Sequence, residues 1–130
     1  MAAMLYREPN MVKWIGERPG HNGTQVAKST FANNATVILH TVTAAKTFFL
    51  THYNYEFDPT ATGQEGRLLV RNVVDVIQYD IVYTAARSID TDLVSGTFVQ
   101  PLEIPAGYDI CLVSSALNAP VRVFIHGWEE

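Results

Sequence analysis

Cysteine is almost missing from this 130-residue chain. Cys111 stands alone, which excludes an internal disulfide and any cysteine-cluster metal centre. Lysine is nearly as scarce, with only Lys13, Lys28 and Lys46, and nine basic residues against thirteen acidic ones give a formal charge of −4. A protein that holds nucleic acid mainly by neutralising phosphates needs the opposite balance. No apolar run approaches the roughly 18 residues of a membrane-spanning helix. Met1 to Arg7 show neither the charged start nor the apolar stretch expected of a secretory leader. What the chain does have is β-branched residues: 34 of 130 are Val, Ile or Thr. That balance favours sheet over helix. At 48% apolar and 17% charged the composition is that of a folded domain rather than a disordered segment, and the length is enough for one.

Residues 1–23 differ from the rest. Pro9, Gly16, Pro19, Gly20 and Gly23 punctuate them, and neither helical nor alternating periodicity persists. Yet Met11, Trp14 and Ile15 lie there, and a plain linker has no use for a tryptophan. The segment reads as an N-terminal arm that packs on its own domain or on a neighbouring subunit. Met11, Trp14 and Ile15 are its candidate partner contacts.

Residues 24–130 read as one β-sandwich domain. Strand signals recur about every ten residues, each ended by turn residues. They fall near 25–31, 35–42, 46–57, 67–72, 73–83, 93–104, 108–114 and 121–128. Asn33-Asn34, Asp58 to Gly66, Pro105-Ala106-Gly107 and Asn118-Ala119-Pro120 are the punctuation. In 46–57 strict alternation puts Phe49, Thr51, Tyr53, Tyr55 and Phe57 on one face, with Phe48, Leu50, His52, Asn54 and Glu56 on the other. In the last strand Val121, Val123 and Ile125 oppose Arg122, Phe124, His126 and Trp128. The sole helical candidate, Thr84 to Asp90, is too short to stand alone. Thr41 to Leu50 can also be laid on Glu103 to Leu112, 62 residues later. Both read as strand, small-residue corner, then apolar strand. Two such halves are what an eight-stranded jelly roll requires.

Motifs of catalysis are not evident: no nucleophile elbow, phosphate loop, zinc-helix motif or dinucleotide fingerprint occurs. Cys111 lies inside the apolar stretch Asp109 to Val113 and reads as a small buried hydrophobe. His40, His52 and His126 are scattered along the chain. Convergence of the three would make a cupin-like metal site, but the clustered histidines and glutamate of such sites are missing. Asp90-Thr91-Asp92 begins like a calcium loop and then lacks the later ligands. Glu129-Glu130 reads as an exposed end. Tyr53, Tyr55 and Phe57 form a stripe that fills the core if buried or stacks on sugar rings if exposed, and Tyr79 and Tyr83 form a smaller pair.

Three segments, Val42 to Thr51, Pro101 to Ile110 and Val121 to Glu129, resemble small jelly-roll proteins of tailed-bacteriophage virions. A Pro-Ala-Gly corner and a last strand ending Gly-aromatic-Glu are common in those proteins. Ala45 stands where the first corner often has glycine. The resemblance spans residues 35–130 in pattern. It implies a non-enzymatic virion role, either as a trimeric capsid decoration (cement) protein or as the head of a tail fibre or baseplate protein. A fibre head needs a shaft, and no heptad or repeat region occurs here. The leading expectation is therefore a homotrimeric decoration protein. It would be made in the host cytoplasm and carried on the capsid surface, with the major capsid protein of a phage shell as partner. No nucleic acid, membrane or cofactor enters this reading. The alternatives are a host-recognition module touching glycan through Tyr53 and Tyr55, and a cupin-like metalloprotein.

Overall fold

Alternating side chains build most of this molecule. In the computed structural model, which describes residues 23–130, eight strands follow one another: β1 Thr24–Ala32, β2 Thr36–Thr41, β3 Phe48–Phe57, β4 Glu65–Arg71, β5 Ile77–Ala85, β6 Asp92–Ile104, β7 Asp109–Ser114 and β8 Val121–Glu129. They form two four-stranded antiparallel sheets, ordered β1-β8-β3-β6 and β2-β7-β4-β5. Every connection crosses from one sheet to the other except the β4–β5 hairpin. This is the jelly-roll arrangement of two interleaved Greek keys. No helix occurs among the described residues; instead of the helical turn expected at Thr84 to Asp90, β5 runs on to Ala85 and the chain then bends.

The core lies between the sheets. β3 contributes Phe48, Leu50 and Phe57, β4 Leu68 and Val70, β7 Ile110 and Leu112, and β8 Val121, Val123 and Ile125. In β8 the inward set is the one that alternation predicts. β3 is different, because its alternation changes phase. Thr51 is an extra residue between Leu50, which pairs with Gly127, and His52, which pairs with His126. The pairing with β6 slips at the same place, from Leu102 to Thr97. A bulge of one residue reverses which side chains face inward. Phe48 and Leu50 therefore enter the core before Thr51, and Tyr55 and Phe57 enter it afterwards. The single face expected from Phe49 to Phe57 is corrected to two half-faces.

The expected strand from Val73 is corrected too. Residues 72–76 form a tight turn in which the Asn72 side-chain carbonyl accepts the amides of Val74 and Val76, both at 3.0 Å. Asp75 takes a positive φ of 63° there. Local capping by Asn and Asp outweighs the strand preference of three valines.

The repeated corners are structurally equivalent. Lys46 N–H donates to Thr43 C=O at 3.1 Å, as Tyr108 N–H donates to Pro105 C=O at 3.2 Å. The corners also join each other: Val42 N–H donates to Tyr108 C=O and Gly107 N–H to Val42 C=O, both at 2.9 Å. The sequence echo marks a real internal symmetry of the two halves.

Candidate interaction surface

Met11, Trp14 and Ile15 lie outside the described residues. Tyr55 is a core residue, 2% exposed, with its hydroxyl 2.7 Å from Thr84 Oγ1. Burial pushes its phenol up to about 12. Tyr53 is half-buried against the core and its ring lies 6.0 Å from that of Phe98. Neither ring presents a sugar-stacking platform on the surface.

Two of the three strand histidines meet. His52 and His126 are cross-strand partners on the outer face of the first sheet, where His52 Nδ1 lies 2.9 Å from Thr97 Oγ1. His40 lies elsewhere, buried between the sheets, with Nε2 2.6 Å from Glu129 Oε2. Among the described residues no group of three or more His, Cys, Asp or Glu side chains could hold a metal ion. Cys111 is fully buried on β7, and burial pushes its thiol up. That disfavours the thiolate that a nucleophile needs.

Glu129 corrects the expected exposed end. Its carboxylate is buried, receives the Thr43 amide at 3.1 Å and faces His40, whose ring packs edge-on against Phe48 at 5.0 Å. Burial alone would raise this carboxyl; the Thr43 contacts and His40 outweigh it and hold it below the usual range. The pair joins β2 of one sheet to β8 of the other. Enclosed in this way, it is an inter-sheet strap.

The surface itself is uneven. β1 and β2 pack together along one flank of the sandwich, whereas β6 and β5, the outer strands at the opposite flank, do not close on each other. Between them, half-buried Ile81, Val94, Phe98 and Leu102 pack against the core. Val73, Val74 and Val76 of the hairpin turn, Ile77, Tyr79 and Tyr83 of β5, and Val99 of β6 are exposed. Among the described residues, nine of the thirteen exposed large hydrophobic side chains belong to residues 73–99. Val99 stands fully in solvent at the tip of the β6 slip.

Outer strands offer unpaired backbone groups, which proteins commonly protect with lysine. No lysine occurs after Lys46, so β5 and β6 lack that protection. The one charged side chain on β5, Asp80, is tied to Arg67 at 2.8 Å. Arg67 in turn lies over the Tyr83 ring at 5.6 Å, and Tyr83 donates to Glu65 at 2.7 Å. Which strands are the edges depends on sheet order, a property of the whole fold.

No protein-family model matches this chain, and no curated protein matches it.

Proposed function

We propose that this protein is a non-enzymatic structural component of a tailed-phage virion. In this reading it is a decoration protein that sits as a homotrimer on the major capsid protein of the head shell and stabilises it. The observation that carries the reading is the uncovered apolar seam between β5 and β6. A small monomer gains nothing from leaving valines, isoleucines and tyrosines clustered in water. A subunit that buries them against identical neighbours gains about 1.5–3 kcal/mol for each aliphatic side chain fully removed from water. Association costs roughly 4–15 kcal/mol in lost freedom, so several of these side chains must be buried together. The exposed apolar side chains of residues 73–99, on the two outer strands and the hairpin turn, supply such a set. The jelly-roll fold and the corner and end motifs of the chain support the virion part of the reading.

The test is direct. Light scattering on the purified protein should give the mass of three chains, and the protein should bind phage head shells that lack their native decoration. A monomer at micromolar concentration, or shells left bare, would refute the proposal.

A further inference from the structure

The outer face of the first sheet carries a cleft that the shell-binding reading does not use. Its volume is about 730 Å3. Two cross-strand rows form its floor. In one, Phe124 is flanked in register by Ser29 and Asn54. In the next, Arg122 is flanked by Phe31 and Glu56. Leu93 closes the β6 side. Phe124 and Phe31 both reach solvent, although they sit among polar neighbours on a sheet that has its own core elsewhere.

The polar groups are held in place before any ligand arrives. Arg122 Nη1 lies 2.8 Å from Asp58 Oδ2 and 3.8 Å from Glu56 Oε2, while Thr91 donates to Asp58 Oδ1 at 2.6 Å. Each of Arg122, Glu56 and Asn54 keeps further donor or acceptor atoms, because one guanidinium, carboxylate or amide makes several hydrogen bonds. A pre-set network of this kind lowers the ordering cost of binding.

The lining selects the ligand class. Of the lining residues only Glu56 and Arg122 are charged, and they cancel; Arg122 is already paired with Asp58, so no net positive charge is left to attract phosphate or sulfate. β8 and β3, which carry the floor, are paired on both sides, so a peptide lying along the floor finds no free backbone there. What remains is an aromatic side chain among groups that donate (Arg122), accept (Glu56) or do both (Asn54). A pyranose offers the complement: one face of C–H groups for the ring and a rim of hydroxyls for the amide, carboxylate and guanidinium. We infer that this cleft binds a short neutral oligosaccharide, with Phe124 as the stacking platform and Asn54, Glu56 and Arg122 as hydroxyl partners. Sugar recognition then rests on the Phe124 ring; Tyr55 borders the cleft, but its ring is a core group.

The probe is an array of mannose-, glucose-, galactose- and N-acetylglucosamine-based oligosaccharides alongside sialylated and sulfated ones, followed by calorimetric titration of the best binder. Neutral chains should bind and acidic ones should not. Phe124→Ala should weaken binding about tenfold, the value of one aromatic contact, and Phe124→Trp should retain it. Asn54→Ala, at an exposed position, decides the matter if Phe124→Ala does not fold. Three results would overturn the inference: no binding to the array, a preference for acidic glycans, or unchanged affinity in both alanine variants. A fourth would assign the cleft to the chain's own arm. In that case Phe124→Ala shifts the NMR signals of residues 1–22 in a protein that binds no glycan. All four outcomes leave the shell-binding proposal to its own test.

Discussion

Ala45 and Gly107 occupy equivalent places in the two corners, and both have left-handed backbone, with φ of 63° and 79°. An L-residue there costs about 1–2 kcal/mol; glycine does not incur that strain but loses more chain entropy on folding. The two sites should therefore respond unequally. Ala45→Gly removes strain and adds entropy loss, so stability should rise slightly, by less than about 1 kcal/mol. Gly107→Ala adds strain, and its new Cβ would lie 2.8 Å from Val73 Cγ1, so the 72–76 turn must also give way. A loss of about 2 kcal/mol or more is expected. Urea unfolding of the two variants checks this, and equal effects would show that the corners are not stereochemical equivalents. The glycine of the Pro-Ala-Gly corner was legible as a turn residue. The backbone strain at its alanine counterpart was visible only as a departure from the motif.

Among the elements, strand positions were largely legible and strand phases were not. Turn residues mark the ends of β7 and β8 because Pro-Ala-Gly and Asn-Ala-Pro leave few other conformations. The Thr51 bulge has no such local mark, since it is fixed by pairing with Gly127 on β8 and with the slipped segment of β6. Glu129 misled for a related reason. Two glutamates at a chain end read as solvated, whereas His40, 89 residues away, faces the first of them. That strap has a pH consequence. The folded state holds the Glu129 carboxyl below its ordinary value of 4.5. Its contribution is then fully present above the unfolded-state pKa and is lost as pH falls through the lower folded-state value. Glu129→Gln should reduce stability near neutral pH by about 3 kcal/mol, the scale of breaking a buried pair. It should also flatten the loss of stability below about pH 4.5 relative to the parent chain. Thermal melts from pH 3 to 7 decide this; parallel acid limbs would remove Glu129 from the account. At the outer strands, Ile77→Lys places a charge on the apolar edge of β5 without touching the core. The variant should melt within about 0.5 kcal/mol of the parent and yet run as a monomer in light scattering. A trimer that survives the substitution would move the interface away from β5.

For the whole molecule, the geometry separates two kinds of contact. Gly23 leads into β1, one edge of the first sheet, while β6 is the other edge. Three inter-strand spacings, about 15 Å, lie between them. Gly23, where the described residues begin, thus lies on the side of the domain away from the β5–β6 seam. Fully extended, 22 residues span at most about 75 Å. On the proposed reading, the seam would close the trimer and the arm would attach it to the shell, with Trp14 and Ile15 as its candidate anchors. Three arms on one trimer would act together, because the first to bind raises the local concentration of the others. A chain beginning at Gly23 should therefore remain trimeric and folded but lose binding to bare shells by far more than one arm's affinity. Trp14→Ala in the full chain should show the same direction with a smaller loss. Sedimentation of shells with each protein measures both. If the shortened chain is monomeric, the arm closes the trimer itself; if it still decorates shells, attachment belongs to the sandwich, and the seam becomes the surface to mutate next.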